Sequence, residues 1–371
     1  MRMPFVNVLL TAGVTTIAVL ATACSSSGDA TSGAGTSGAA GGKYGAGKKI
    51  ILDTLYRAPL AQNEAAGANL AASEAGAKVI WVGPADINPP AAIKALQDAV
   101  AAGADGAMVA AFPGDLFRVP INQAGMPVTT MDLYSPGSKA ATHLGPDKYQ
   151  LGASLAKDFA KALPTNASGE IVGGICVPGL PALRAPQQGF IDTLKTLQPG
   201  VRFKADVPTD GDPTKNYTSW QRIMQQNPNA LGFIGQCDQD VPNLIKLRKQ
   251  SPSAKWLIGA TSGDSVENIA AVQNGTMVAI QSQNGWPEGY LSAKLLLQHI
   301  VKKTPLPSGW IDTGFTDITK DNAAEVTARI KDPSLNAAAF KDLIDKVLAD
   351  PAAAAKPYDG CRGCGTTFKT N

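Results

Sequence analysis

From Lys49 onward, short apolar runs alternate with alanine-rich stretches of helical spacing, and this alternation continues through most of the chain. It leaves few architectures open. Buried strands that alternate with helices build parallel sheets by βαβ crossovers, an α/β fold. The runs Lys49–Leu55, Val79–Val82, Gly106–Ala111 and Val128–Asp132 read as strands, with helices over Leu60–Ala75, Ala91–Ala101 and Asp115–Gln123, the last interrupted by Pro120. A second series follows HLGPDKYQLGASLAKDFAKAL, with strands at Glu170–Val177, Val201–Val207, Ala230–Gly235, Lys255–Gly259 and Met277–Gln283. Its helices start near Pro181, Thr214, Val241, Asp264 and Trp286.

The two series share one plan. AAGADGAMVAAFPGD in the first corresponds to QQNPNALGFIGQCDQD in the second: a helix end, a turn, a buried strand, then polar residues. Open α/β sheets bind ligands outside the carboxyl ends of their strands. Two such lobes face to face make a cleft, supplied by Tyr56, Arg57, Asp115 and Asp132 from the first and Arg184, Asp210, Asp238 and Gln283 from the second.

Ahead of this body, Arg2 precedes an uncharged stretch from Phe5 to Ala23, too diluted by polar residues for a firm membrane span and laid out as an export signal. Ala21, Thr22 and Ala23 before Cys24 resemble the lipobox of bacterial lipoproteins, although leucine is preferred where Ala21 stands; the other reading is a plain secretory signal with an incidental cysteine. Two acyl chains on Cys24 would anchor the chain, at ~0.8 kcal/mol per buried methylene. The Ser- and Gly-rich run to Gly47 has nothing apolar to bury and reads as a flexible tether. A net charge of +3, carried by scattered lysines and arginines, gives no reason to expect nucleic acid. Export permits disulfides. Cys361 and Cys364 form a C-x-x-C without the further ligands of a zinc site nearby in sequence, and read as a small tail disulfide.

The segments KKIILDTLYRAPLAQNEAAGANLAASEAGAKVIWVGP, AAIKALQDAVAAGADGAMVAAFPGD and GMPVTTMD resemble the first lobe of the type I solute-binding proteins of ABC importers, in their ribose-binding-like branch. GPDKYQLGASLAKDF, GGICVPGLPALRAPQQGF and GTMVAIQSQNGWPEGYLSAKLLL continue the likeness, which spans about Lys48 to Asn322. The resemblance implies two Rossmann-like lobes with parallel sheets joined by three hinge crossings, near Gly145–Asp147, Gln283–Gly285 and Ser308–Asp312. The expected division is a signal over 1–23, a tether over 24–47, a first lobe of 48–146 with 284–309, a second of 147–283 with 310–322, and an extension over 323–371.

Carried over residue by residue, the resemblance gives Asp132 as acceptor for sugar hydroxyls, Arg184 as donor and Gln283 at the hinge; Tyr56, Arg57, Phe112, Cys237 and Asp238 are second-rank candidates for the ligand wall, placed by the strand ends rather than by the family motif. Ala58, Leu60 and Ala61 stand where the family has an asparagine and aromatic residues, while Leu133, Phe112, Cys237 and Thr261 replace polar ones. These departures weaken the expectation of ribose or an ordinary pyranose; Tyr56, Phe112, Trp220 or Trp286 could supply an aromatic face instead, the alternative for each being core packing, which is the preferred reading of Trp220. In the implied strand order the first and third strands of the second lobe are neighbours, about 4.8 Å apart, so Cys176 and Cys237 at their ends are placed to pair, the alternative being two free buried cysteines.

The expected protein is a monomeric receptor lipid-anchored on the outer face of the cytoplasmic membrane. It takes up a sugar or polyol and delivers it to a membrane permease, with no metal or organic cofactor. A receptor feeding a signalling partner is the alternative. A hydrolase using Cys176 is the remote one, since His143 and His299 lie near no evident nucleophile.

Overall fold

The computed structural model describes residues 43–365. The signal, Cys24 and the tether as far as residue 42 lie outside them. Two six-stranded sheets organise the described chain. The first contains β1 (Lys49–Asp53), β2 (Lys78–Val82), β3 (Gly106–Val109), β4 (Val128–Met131), β5 (Thr142–Gly145) and β11 (Gly309–Asp312), in the order β11-β5-β4-β3-β1-β2, all parallel. The second contains β6 (Gly169–Ile175), β7 (Val201–Pro208), β8 (Gly232–Gly235), β9 (Leu257–Ala260), β10 (Ile280–Ser282) and β12 (Thr316–Ile318), in the order β12-β10-β9-β8-β6-β7. Only β12 runs antiparallel to its neighbour. Position by position the two orders are the same, which is the duplicated plan of the sequence.

Strand alternation distributes the core over both faces of each sheet. Ile50 and Leu52 of β1 point toward α1 (Pro59–Ala75) and α9 (Gly285–Lys302), while Ile51 between them points toward α2 (Pro89–Ala101) and α3 (Gly114–Gln123). In the second lobe α4 (Lys148–Ala162) and α5 (Pro181–Leu197) cover one face, and α6 (Pro213–Gln226), α7 (Asp240–Gln250) and α8 (Val266–Gln273) the other. Trp220 is core packing, the preferred reading: it is fully buried behind this sheet, donating to Asp240 Oδ1 at 2.9 Å. Trp286 stacks on Tyr290 inside the first-lobe core.

In each lobe one helix pair packs with its backbones almost touching. A Cβ on Gly289 of α9 would overlap the carbonyl oxygen of Glu64 on α1, and one on Gly152 of α4 would overlap that of Pro186 on α5.

The chain passes between the sheets at 146–147, 283–284 and 313–315. The third passage lies beyond the Ser308–Asp312 expected, because Gly309–Asp312 pairs with β5 as an edge strand of the first sheet. Residues 310–312 therefore belong to the first lobe rather than the second. The expected tether also ends early: Gly45 donates to the Ala75 carbonyl at 2.7 Å and Tyr44 packs on the first-lobe core.

The extension is structured. α10 (Ala323–Lys331) packs on the second lobe; then come α11 (Asn336–Ala339) and α12 (Lys341–Ala349), and α12 packs on α9 of the first lobe. The described part of the tail reaches the first passage, where Tyr358 stacks on Tyr134, Arg362 chelates the Asp147 carboxylate, and Cys361 and Cys364 form a disulfide. Among the described residues no helix is long and apolar enough to cross a membrane.

Candidate functional site

A cavity of about 600 Å³, counting its open mouth, lies between the carboxyl ends of the two sheets. Strand ends deliver Tyr56, Phe112 and Asp132 from the first lobe, and Cys176, Gln236, Cys237 and Asp238 from the second. Gln283 enters from the second passage and Lys148 from the first turn of α4, just after the first passage.

The polar groups form two sets. In one, the ammonium of Lys148, with 3% of its side chain exposed, donates to Asp132 Oδ1 at 2.5 Å and to Gln283 Oε1. Asp132 sits in the left-handed region, φ 53°, a conformation that aspartate tolerates better than most side chains. Its backbone N–H donates to Glu288 Oε2 at 3.2 Å. Glu288 and Glu64, both buried, have their carboxyl groups pushed well above the usual range by burial first and by nearby carboxylates second. Both carboxyls thus resist ionisation beside the Lys148–Asp132 ion pair at the base of the cleft.

The second set bridges the lobes directly. Tyr56 Oη donates to Asp238 Oδ2 at 2.7 Å. Burial, with Asp264 and Asp132 nearby, pushes the Asp238 carboxyl up to about 6, against the opposing pull of the Tyr56 hydrogen bond. A carboxyl with a raised folded-state pKa binds its proton more tightly folded than unfolded, so its ionisation costs stability above pH ~6 and that cost disappears as the pH falls toward 4. Thermal melts of the ligand-free protein should therefore rise between pH 7 and 5. Asp238→Asn should be the more stable protein at pH 7, by on the order of 3 kcal/mol at most, and should flatten that part of the profile; an unchanged slope would show that Asp238 is ordinarily solvated.

Cys176 and Cys237 are joined by a disulfide, Cα–Cα 6.2 Å, on the cavity floor where β6 and β8 run side by side. Engaged in that bond, Cys176 has no thiol to act as a nucleophile. His143 is buried and neutral, its pKa lowered to about 3 by burial first and by the Lys148 charge second. Among the described residues, His143, Cys361 and Cys364 are the metal-ligating types gathered together, within 4.8 Å, but both sulfurs belong to the tail disulfide.

Arg184 and Arg57 are not part of the cavity. Arg184 lies on the exposed side of α5, where the Asp206 carboxylate holds its guanidinium through Nε at 3.1 Å and Nη2 at 2.6 Å. Leu183, one residue earlier and so about 100° around the helix, lines the cavity instead. Arg57 stacks over Trp81, 4.6 Å from the ring centroid. Asp115 and Asp210 are likewise not among the lining residues.

Lys148, Gln236 and Ser262 line the cavity without having been singled out from sequence. Lys148 did leave a signal. A cation in the first turn of a helix opposes the macrodipole, and that placement calls for a dedicated anionic partner.

The sequence profile of the periplasmic binding protein domain matches residues 58–304. Among solved structures, the chain is similar to an ABC transporter solute-binding protein from Burkholderia graminis in complex with D-arabinose, at 24% identity and a TM-score of 0.68, covering 75% of this chain and 97% of that one. It is similar to a periplasmic ribose ABC transporter protein from Conexibacter woesei at 20% identity, TM-score 0.65, covering 78% and 97%. A periplasmic solute-binding protein from Actinobacillus succinogenes with bound D-allose is 18% identical, TM-score 0.67, covering 75% and 99%. No curated protein matches the chain.

Proposed function

This chain belongs to the periplasmic binding protein family, and from that premise we propose that it is the solute receptor of an ABC importer, anchored by lipid on Cys24 and passing a sugar or polyol to a membrane permease. It binds and releases its ligand without altering it. The observation that carries this reading is the convergence of polar side chains from both lobes on one cavity, Asp132 and Tyr56 from the first and Lys148 and Asp238 from the second, above the passages that join the lobes. Such a site closes only when both lobes meet, so ligand affinity and lobe closure are coupled.

The charge pattern narrows the ligand. Among the described residues, Asp132 and Asp238 line the cavity, and the one lysine there, Lys148, is already engaged by Asp132 and Gln283. An anion would meet carboxylates without a free cation. Neutral hydroxyls, which both donate and accept, suit this lining.

A thermal-shift screen of sugars, polyols, nucleosides and organic acids tests the assignment, since a ligand that binds the native state raises the melting temperature. A sugar or polyol should stabilise the mature protein by several degrees while organic acids leave it unchanged. Stabilisation by organic acids alone would contradict the proposal.

A further inference from the structure

The polar groups occupy only part of the cavity. Leu55, Ile87, Phe112 and Leu133 of the first lobe meet Val177, Leu180 and Ala182 of the second in a continuous apolar cluster across the cleft. Leu60 and Leu183 extend this wall. The same cavity is lined by Asp238 and Gln236, whose Oδ1 and Oε1 are buried acceptors without a protein partner.

A ligand hydroxyl turned toward Asp238 and Gln236 finds those acceptors. One turned toward the leucine wall loses its water and gains no partner. Leaving a buried hydroxyl unpaired penalises affinity by about tenfold or more, whereas a methyl group there gains contact area.

We propose that the ligand is two-faced: a deoxy or methyl-bearing sugar or polyol, with hydroxyls along one edge for Asp238, Gln236 and the Lys148–Asp132 end, and a hydrocarbon edge against Leu133, Leu180 and Leu183. This rests on the receptor reading above and narrows it. The wall also explains why the first lobe can dispense with aromatic residues at Leu60 and Ala61: an aliphatic edge packs against leucine without a ring to stack on.

Calorimetric titration with pairs differing by a single hydroxyl tests it, using D-galactose against D-fucose, L-mannose against L-rhamnose, and D-ribose against 5-deoxy-D-ribose. In at least one pair the deoxy member should bind tenfold or more tightly than its parent, and Leu183→Gln, at a half-buried position, should reduce that preference to threefold or less. Parents binding as tightly as their deoxy partners in every pair that binds would overturn the two-faced ligand and leave the sugar receptor standing. No binding by any member, with no shift from any sugar or polyol in the thermal screen, would overturn both.

Discussion

Lys148→Met should lower the unfolding free energy by about 3–5 kcal/mol, read from the midpoint of urea denaturation, the usual cost of removing one partner from a buried ion pair. The mechanism is specific to this position. Lys148 is buried in the first turn of α4, with Asp132 on one side and Gln283 on the other. Without it the Asp132 carboxylate, 14% exposed, keeps Glu288 and Glu64 as neighbours and loses its counter-ion. The double variant Lys148→Met with Asp132→Asn should recover part of the loss, because neither charge is then stranded. A single variant within 0.5 kcal/mol of the parent would mean that the pair is hydrated and contributes little. Since Asp132 belongs to the first lobe and Lys148 to the second, the same contact ties the lobes together at the hinge.

Gly152→Ala should destabilise the second lobe by about 2–3 kcal/mol or more, although alanine is the better helix former by about 1 kcal/mol. The added Cβ would overlap the carbonyl oxygen of Pro186, and backbone cannot rotate away as a side chain can. α4 and α5 must separate, which loosens Phe159 and Phe190 packed edge-on between them. An unchanged or increased urea midpoint would show that the two helices are not in backbone contact.

Much of this fold was legible because most strands with a fully buried run, β4 excepted, are followed by a helix of conventional length, and the order repeats. β5, β11 and β12 were not legible. They are three or four residues long, and THLG, GWID and TDI lack the β-branched, apolar runs that mark the other strands. Their pairing is dictated by where the passages bring the chain back, which is tertiary information.

The site divides in a similar way. Asp132, Tyr56, Asp238 and Gln283 follow from strand ends and the resemblance, because backbone position alone delivers them to the cleft. Arg184 does not reach it, since one helical step and a carboxylate on β7 decide where a long side chain goes. Lys148 was missed for the converse reason: its partners are distant in sequence and come together only when the lobes do.

The central claim is that both lobes hold one ligand between them. The most direct measurement is calorimetric titration of the strongest stabiliser from the thermal screen against the parent protein, Asp132→Asn and Asp238→Asn. The account predicts one ligand per chain for the parent and at least a tenfold weaker affinity in each variant, one altered in the first lobe and one in the second. Full affinity retained in both variants would contradict it.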